Sequence, residues 1–367
     1  MPLRALSLFT GAGGMDVGVI DAGFNVVAAS ELDSHACATF RANHPSTKLL
    51  EGDITANFSE IIKFQHIDLV FGGPPCQGFS VAGKMDTLDP RSSLVFSFCD
   101  VVEKVQPKAF VMENVASLGR LSKFQQVREE IFRRMTNSGY SVNMFVLNAK
   151  DFGVPQSRER VFFIGLAKGY QSITESAFEN YKEEPKTLRQ AIAHLGRAGT
   201  ATNPNITNAK ITLALKPVMR RSPYAGMLFN GQGRPLNPDA WSSTLPASMG
   251  GNRTPIVDED HLYDDKASWV EDYHQKLKSG GIKGEFKEAP SRLRRLTIDE
   301  VSILQTFPAN YKFSGPKSKI YNQIGNAVPC KLAKVVAHVI KLSLTKKLQN
   351  EQKEESKKNM ELKLEFA

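Results

Sequence analysis

The sequence predicts an α/β fold, a doubly wound and mostly parallel sheet joined to a second, smaller and irregular domain. Three observations support this prediction. Short β-rich runs alternate with helical patterns in residues 3–167, little periodicity is present in residues 196–291, and helical patterns resume after residue 292. Alternation of strands and helices is typical of parallel sheets with right-handed crossovers. We therefore expect ligands to bind at the carboxyl ends of the strands.

Runs rich in β-branched and aromatic residues predict the strands. In chain order they are RALSLF, NVVAASE, IDLVFGG, KAFVMENV, SVNMFVLNA and RVFFIGLA. Apolar residues at helical spacing predict the helices. The first four are GGMDVGVIDAG, SHACATFRANH, SSLVFSFCDVVEKV and KFQQVREEIFRRMTNSG. Two more lie near the C-terminus: TIDEVSILQTFP begins with the capping pattern of Thr297 and Glu300, and AVPCKLAKVVAHVIKLSLTKKL carries Pro329 in its first turn.

The chain of 367 residues is long enough for one large or two ordinary domains. We expect residues 1–195 to form the sheet domain and residues 292–345 to complete it. The irregular stretch, residues 196–291, is rich in glycine, proline, asparagine and serine, and we expect loops on a small domain there. The charge-dense residues 346–367 are predicted to form a frayed helix or to be disordered.

The net charge of +9 is unevenly distributed along the chain. Residues 1–180 hold 17 Lys and Arg against 19 Asp and Glu, whereas the remainder holds 30 against 19. The first part is therefore about −2 and the second about +11. A basic second half favours a polyanionic partner such as nucleic acid, and the alternative is a solvated basic face.

The composition also bears on the cellular compartment. No apolar run is long enough to span a bilayer, and the N-terminus lacks the pattern of a signal peptide. The four cysteines are scattered, without a CxxC pair or a histidine at metal-binding spacing; they are Cys37, Cys76, Cys99 and Cys330. We therefore expect a reducing compartment, with no disulfide framework, no structural zinc and no other metal.

A glycine-rich loop, LFTGAGGMDVG, joins the first strand to the first helix. The phosphate-binding pattern GxGxxG does not fit, because Asp16 occupies the sixth position counted from Gly11. A carboxylate there opposes a dinucleotide and tolerates a cationic ligand without phosphates, such as S-adenosylmethionine. Glu31 ends the second strand, where acids bind ribose hydroxyls, and Asp53 lies near the next strand end, suited to an adenine amino group. The alternative for each is a turn glycine or a solvated acid.

The thiol of Cys76 lies in GGPPCQGFS, directly after the strand IDLVFGG. Two prolines stiffen this loop, and the flanking glycines keep bulk away from the cysteine. A loop that presents a thiol to backbone amides or cations lowers its pKa and makes it a nucleophile. A small buried hydrophobic residue is the alternative for Cys76, and it is the interpretation that we adopt for the other three cysteines.

Three charged residues flank predicted strands. Glu113 in FVMENV follows a hydrophobic run, where a charge has to be paired or functional. Arg158 and Arg160 in QSRERVFFIG are two positions apart at a strand start, so both should face one side. A helix-start acid is the alternative for Glu113, and a salt-bridged strand edge is the alternative for the arginines.

Taken together, these motifs resemble the signature blocks of the DNA (cytosine-5)-methyltransferases of the bacterial modification type. In chain order the main blocks are FTGAGG, GGPPCQGFS, ENV, QSRER and NQIGNAVP. Lesser blocks are the acids of ELD and GDI, then DPRSSL and RRLTIDEVSILQTFP. The resemblance covers residue 3 to about residue 345 and is interrupted only where the family has its variable target-recognition region.

The resemblance implies a catalytic mechanism and the fold of S-adenosylmethionine-dependent methyltransferases. Cys76 resembles the nucleophile that adds to ring carbon 6 of cytosine. Glu113 resembles the acid that hydrogen-bonds ring nitrogen 3 and the exocyclic amine. Arg158 and Arg160 would lie beside the base and its phosphate, holding Glu113, Cys76 or both. The base that removes the carbon 5 proton is not identified, and a water molecule is one alternative.

The resemblance also assigns residues to the cofactor and to DNA. Those implied to bind S-adenosylmethionine are Phe9, Gly11, Gly13, Glu31, Asp53, Ile54, Pro75, Leu94 and Asn326. The target cytosine must be flipped out of the duplex, and residues 196–291 then become the target-recognition domain. STLPASMGGNRTP resembles its conserved part. The implied DNA-binding residues are Gln77, Ser80, Arg91, Arg220, Arg221, Arg234, Thr244, Leu245 and Arg253. As an alternative, each arginine in the recognition region is a phosphate or surface arginine rather than a base reader.

Four functions remain to be compared. The first is a DNA cytosine-5 methyltransferase that is the modification enzyme of a restriction-modification system. The second is a tRNA cytosine-5 methyltransferase of the same superfamily, and the sequence PPCQGFS of the thiol loop argues against it. The third is a catalytically silent relative, and the fourth is a nicotinamide-dependent oxidoreductase, which Asp16 disfavours. For the first function we expect a monomer in the bacterial cytoplasm that binds nucleoid DNA and does not associate with a membrane. A cognate restriction endonuclease would act independently on the same DNA site.

Overall fold

A seven-stranded sheet forms the centre of the molecule in the computed structural model, which describes residues 2–75 and 93–345. The strand order is β3-β2-β1-β4-β5-β7-β6, and β7 runs antiparallel to both of its neighbours. The strands are β1 (Leu3–Leu8), β2 (Phe24–Glu31), β3 (Lys48–Glu51), β4 (Leu69–Gly72), β5 (Ala109–Val115), β6 (Tyr140–Asn148) and β7 (Glu159–Ala167). The predicted doubly wound, mostly parallel sheet is confirmed, and β3 is an addition to the six predicted runs.

Helices cover both faces of this sheet, and further helices pack in separate cores elsewhere in the molecule. They are α1 (Gly14–Asp21), α2 (Ser34–Asn43), α3 (Phe58–Ile61), α4 (Ser93–Val105), α5 (Ala116–Arg120), α6 (Gln125–Asn137), α7 (Ser176–Glu179), α8 (Leu188–Ile192), α9 (Glu259–Tyr263), α10 (Trp269–Lys278), α11 (Ile298–Leu304), α12 (Lys317–Asn326) and α13 (residues 330–345). Short 3-10 turns occupy Ser122–Phe124, Ala149–Asp151 and Ala193–Leu195.

Neighbouring residues of a strand enter different cores, as the two-residue period of a strand requires. In β1, Ala5 belongs to the core beneath α1 and α13, whereas Leu6 belongs to the core beneath α4 and α6. A sheet buried on both faces explains why its strands are nearly continuous hydrophobic runs.

The C-terminal helix α13 packs closely on α1 in one of the two cores that flank the sheet. A Cβ atom at Gly18 would lie 2.4 Å from the carbonyl oxygen of Cys330 and 2.5 Å from the amide nitrogen of Lys334. Glycine is therefore required at this crossing. Helix α11 begins with the predicted capping box, in which the side chains and backbone amides of Thr297 and Glu300 bond reciprocally.

The irregular stretch contains more regular structure than the sequence predicts. Two strand pairs lie in or beside it, β8 (Leu213–Val218) with β9 (Met227–Phe229), and β10 (Ile256–Asp258) with β11 (Leu293–Arg295). The ten-residue helix α10 was not predicted; Ser268 caps it, and its Trp269 and Tyr273 rings stack at 4.7 Å. These aromatic residues belong to, or pack against, a small core of their own.

Two further expectations concern the C-terminal tail and membrane-spanning helices. The tail, residues 346–367, lies outside the described residues. Within residues 2–75 and 93–345, no helix combines the length and apolar character needed to cross a bilayer.

Candidate active site

A cavity of about 1060 Å³ opens at the carboxyl ends of the parallel strands. Its wall is formed by the residues that follow β1, β2, β4 and β5, and by α12. Eight of the nine residues implied to bind the cofactor line it, namely Phe9, Gly11, Glu31, Asp53, Ile54, Pro75, Leu94 and Asn326. Glu113, Arg158, Arg160, Thr244 and Leu245 line the same cavity. The sheet therefore brings the two implied groups, cofactor-binding and catalytic, to one place.

The glycine loop is tied to the end of β2 through Glu31. The carboxylate of Glu31 accepts hydrogen bonds from the backbone amides of Gly11 at 2.7 Å, and of Leu32 and Asp33 at 2.8 Å each. A carboxylate offers about four lone-pair sites, so about one remains for a ligand hydroxyl. Glu31 thus shapes the loop as well as facing the cavity.

Gly13 has a different role from the other loop residues. It adopts φ 83°, a conformation that favours glycine, and it does not line the cavity. A Cβ atom there would lie 2.7 Å from both His44 Nε2 and Tyr311 Oη. The Tyr311 hydroxyl donates to the carbonyl of Ala12 and lies 3.0 Å from His44 Nε2. Gly13 therefore makes room for the side chains of His44 and Tyr311, which support the loop from behind.

Asp53 and Asn326 mark two further walls of the cavity. Asp53 Oδ1 accepts hydrogen bonds from the amide and the hydroxyl of Thr55, and these bonds lower the pKa of Asp53. Asn326 ends α12, and its amide donates to Asn322 Oδ1 at 3.1 Å.

The central feature of the site is a buried ion pair. Arg160 Nε lies 2.8 Å from Glu113 Oε1, and the two side chains are only 14% and 10% exposed. Burial raises the pKa of Glu113, while Arg160 and then Arg158 oppose the shift. Glu113 therefore holds a proton more readily than an exposed glutamate does, and Arg160 fixes the direction of its carboxyl group.

The same carboxyl group constrains the chain that leads to Cys76. A Cβ atom at Gly73 would lie 2.7 Å from Glu113 Oε2, so this position needs glycine. The side-chain amide of Asn114 donates to the carbonyl of Pro74 at 3.0 Å. Sequence reasoning assigned no role to Asn114, although its place beside Glu113 in the ENV block was a signal. These contacts fasten the start of the thiol loop to the end of β5.

Arg158 holds backbone rather than another side chain. It is 1% exposed, and it donates to the carbonyls of Leu245 at 2.9 Å and Gly325 at 2.8 Å. Arg158 thus joins the segment that contains Leu245 to α12, next to Asn326. It influences Glu113 through its charge, whereas Arg160 makes the direct contact.

Thr244 and Leu245 are anchored to the segment that carries the two arginines. The Thr244 hydroxyl donates to the carbonyl of Ser157 at 2.7 Å, and the Leu245 amide donates to Gln156 Oε1 at 3.0 Å. Gln156 is fully buried and also donates to Gln305 Oε1 at 2.7 Å. Gln156 is a second residue that sequence reasoning missed, and the first letter of QSRER was its signal.

Four arginines implied to bind DNA lie apart from the cavity wall. They are Arg220, Arg221, Arg234 and Arg253, and all four are exposed. Within the described ranges none of them forms an ion pair, whereas Arg189, Arg197, Arg292 and Arg294 are paired with acids. The guanidinium groups of Arg220, Arg221, Arg234 and Arg253 are therefore free to bind an anionic partner.

The remaining implied residues, Cys76, Gln77, Ser80 and Arg91, lie outside the described residues. Pro75, immediately before Cys76, lines the cavity.

Cys37, Cys99 and Cys330 are buried, and burial raises the pKa of the first two to about 12 and that of Cys330 further. These three thiols stay protonated at neutral pH. Among residues 2–75 and 93–345, no cluster of three or more His, Cys, Asp or Glu side chains could hold a metal ion.

Comparison with known proteins gives a consistent result. The family model for C-5 cytosine-specific DNA methylases matches residues 3–342. Type II methyltransferase M1.HphI of Haemophilus parahaemolyticus is 34% identical over 350 residues, covering 93% of this chain and 87% of that protein. Type II methyltransferase M.NgoPII of Neisseria gonorrhoeae is 33% identical over 354 residues, covering 94% and 96%. The solved structure of S. pombe Dnmt2 methyltransferase, 18% identical, has the same fold with a TM-score of 0.64 over 94% of this chain and 98% of its own.

Proposed function

This chain belongs to the C-5 cytosine-specific DNA methylase family, and we propose that it transfers a methyl group from S-adenosylmethionine to ring carbon 5 of a flipped-out cytosine in duplex DNA. One observation carries the proposal. The buried pair of Glu113 and Arg160 lies in a cavity whose wall continues to Pro75, the residue before the implied nucleophile. This chemistry needs an acid and a thiol; Glu113 supplies the acid, and the chain leads from Pro75 directly to Cys76, which is implied to supply the thiol.

The cysteine converts an unreactive ring carbon into a nucleophile. The Cys76 thiolate adds to carbon 6, a C–S bond forms, and the electrons of the 5,6 double bond make carbon 5 nucleophilic. Carbon 5 then takes the methyl group of S-adenosylmethionine, whose sulfur–methyl bond breaks with both electrons remaining on sulfur to leave S-adenosylhomocysteine. A base then removes the carbon 5 proton, the double bond re-forms, and the C–S bond breaks to release the thiolate.

Glu113 stabilises the adduct by hydrogen bonding to ring nitrogen 3 and the exocyclic amine. Its raised pKa supports this role, because a carboxyl group that holds a proton can donate it to the ring nitrogen as charge develops. Arg160 keeps the carboxyl oriented, and Gly73 leaves space beside it. Arg158 positions the backbone on either side of the cavity.

The residues present fit the methyl donor. The cavity of about 1060 Å³ is walled by apolar side chains, including Phe9, Ile54 and Leu94, which suit the flat face of adenine. Carboxylates of Glu31 and Asp53 lie at the strand ends for the ribose and the adenine amino group. Gly13 supports the loop from outside the cavity, and Asn326 closes the wall at the end of α12.

We assign DNA recognition to residues 196–291 and catalysis to residues 1–195 and 292–345. The second half of the chain carries the positive charge, and the exposed arginines without acidic partners suit phosphate contacts or guanine edges. These arginines are Arg220, Arg221, Arg234 and Arg253. Thr244 and Leu245 connect this region to the catalytic domain, and Gln77, Ser80 and Arg91 would approach the DNA from the thiol loop.

We further propose that the enzyme is the modification member of a restriction-modification system. Two relatives that align with over nine-tenths of the chain are named Type II methyltransferases, which supports this role. The enzyme would act as a monomer in the bacterial cytoplasm, on nucleoid DNA. A cognate endonuclease would act independently on the same site.

The test is transfer of labelled methyl from S-adenosylmethionine to duplex DNA and, in parallel, to bulk tRNA, with nucleoside analysis of the product. We expect 5-methylcytosine in DNA, and bisulfite sequencing of that DNA then gives the recognition site. Label in tRNA alone would replace the proposal with a tRNA methyltransferase. A protein that binds the cofactor but labels neither, with genomic DNA of varied sequence as substrate, would instead be a silent relative.

A further inference from the structure

One buried positive charge lies beside the recognition region without an acidic partner. Arg295 is the last residue of β11 and is 1% exposed. Among the described residues it forms no ion pair, whereas its neighbour Arg294 pairs with Glu259 and Glu300 at 2.6 Å each. Burial lowers the pKa of Arg295, and no acid opposes the shift. Because arginine keeps its proton in proteins, a guanidinium ion is buried here without a counter-charge, which is costly.

The Arg295 side chain holds two loops against each other, loop A (residues 230–235) and loop B (residues 250–255). In loop B, the carbonyl of Thr254 accepts a hydrogen bond from Arg295 Nη1 at 2.7 Å, and Asn252 Oδ1 lies 3.5 Å from Nη2. In loop A, a Cβ atom at Gly233 would lie 2.5 Å from Arg295 Nη1 and 2.1 Å from the carbonyl oxygen of Thr254. Glycine is therefore needed where loop A passes the guanidinium group.

Backbone hydrogen bonds also join the two loops directly. The amides of Gln232 and Gly233 donate to the carbonyl of Asn252 at 3.1 and 2.9 Å. Four polar side chains of the joined loops are exposed, namely Gln232, Arg234, Asn252 and Arg253. Side-chain amides and guanidinium groups are the groups that read base edges in the major groove and bind phosphates. Loops A and B therefore present one surface with the composition that duplex DNA requires.

We propose that Arg295 is a positioning residue for DNA recognition, which fixes loop A on loop B so that their exposed side chains contact duplex DNA together. This inference rests on the proposed function. A guanidinium group can hold both loops because its donors form a rigid planar fork, which the ammonium group of lysine lacks. The protein leaves its charge unbalanced, so the loops present a positive potential to the phosphates. The bound DNA then supplies the counter-charge.

The test compares the affinities of each variant for two duplexes by fluorescence anisotropy. One duplex carries the recognition site that bisulfite sequencing of the wild-type product identifies, and the other has a scrambled sequence of the same composition. Arg295→Lys keeps the charge and loses the fork. We expect its preference for the site to fall on the order of tenfold, with affinity for the scrambled duplex within about twofold of wild type. Arg292→Lys is the matched control and should change neither, because Arg292 precedes the same strand but pairs with Asp258.

A second pair of variants tests the contact between the loops without altering Arg295. Gly233→Ala places a Cβ atom against the carbonyl of Thr254 and against Arg295, so it should separate the loops and lower the preference by a similar factor. Gly251→Ala is its control, because a Cβ atom at Gly251 in loop B would meet none of the described residues within 4 Å. Calorimetric affinity for S-adenosylhomocysteine without DNA should be the same in every variant, which shows that each one folds. If either Arg295→Lys or Gly233→Ala fails to fold, the other decides.

Arg295→Met removes the charge as well as the fork. It should lower the preference for the site as Arg295→Lys does, and it should also weaken binding to the scrambled duplex roughly threefold. Unchanged binding to the scrambled duplex would contradict the role that we give to the unbalanced charge.

The other outcomes contradict the inference in distinct ways. An unchanged preference in Arg295→Lys and Gly233→Ala would mean that the loops read DNA without this contact. An equal loss for both duplexes in Arg295→Lys would make Arg295 a general contributor to affinity rather than a positioning residue. A wild-type protein that methylates no DNA would overturn the proposed function, and the inference with it.

Discussion

Replacing Arg160 with methionine tests the buried ion pair most sharply. The substitution keeps an unbranched, flexible side chain and removes the guanidinium group, whose Nε lies 2.8 Å from Glu113 Oε1. At that separation and an effective dielectric constant of about 20, the attraction between unit charges is about 6 kcal/mol. The cost of burying the pair offsets part of it, so loss of one partner destabilises the fold by about 3–5 kcal/mol. We expect methyl transfer to be lost as well, because Glu113 loses its orientation.

The pH dependence of this loss identifies its cause. Burial already raises the pKa of Glu113, and removal of Arg160 raises it further. A group with a raised pKa in the folded state contributes stability at low pH and loses it as the pH rises through that pKa. The deficit of Arg160→Met in free energy of unfolding should therefore be small at about pH 5 and full at about pH 8.

Chemical denaturation at these two pH values measures the deficit. Arg120→Met is the matched control, because it breaks an exposed pair, in which Arg120 Nη1 lies 2.6 Å from Glu159 Oε2. Solvent screens that pair, so the control should change stability little and equally at both pH values. A deficit for Arg160→Met that is absent, or the same at both pH values, would refute the assignment of a buried charge to Glu113.

Four other variants or conditions test separate parts of the site. Cys76→Ser should abolish methyl transfer while cofactor binding, measured by calorimetry, persists. Gly73→Ala places a Cβ atom 2.7 Å from Glu113 Oε2, so kcat should fall with little change in cofactor affinity. Arg158→Met removes two buried hydrogen bonds from a charged donor, so the free energy of unfolding should fall by about 3–5 kcal/mol in denaturation experiments. DNA affinity should decrease steeply with salt, and Arg234→Ala should reduce the slope of log affinity against log salt by about one.

Much of the fold could be predicted because the sheet is buried on both faces. Continuous apolar runs and intervening amphipathic helices leave few alternative arrangements, and β1 illustrates the pattern with Ala5 and Leu6 in opposite cores. The short strand β3 and the helix α10 were missed. β3 has four half-buried or exposed residues, and α10 lies in a stretch whose turn residues mask its periodicity.

Most of the predicted site residues within the described ranges line one cavity, but the contacts that they make there could not be predicted. Glu31, Asp53 and Glu113 follow or end predicted strands. Because the carboxyl ends of parallel strands meet at one edge of a sheet, the topology alone predicts that these three residues lie at the same edge. The partners of Arg158 lie 87 and 167 residues further along the chain, and no local pattern predicts hydrogen bonds to backbone carbonyls at that separation. The role of Gly13 was likewise hidden, because the ring that it admits, Tyr311, comes from the far end of the chain.

The most direct test of the central claim is to trap the covalent adduct. A duplex in which 5-fluorocytosine replaces cytosine should react with the enzyme and S-adenosylmethionine and then stall, because fluorine cannot leave carbon 5 as a proton does. Mass spectrometry of the digested complex should find the methylated base on the peptide that contains Cys76. An adduct on a peptide with Cys37, Cys99 or Cys330, or methylation of ordinary DNA without any trapped adduct, would contradict the account.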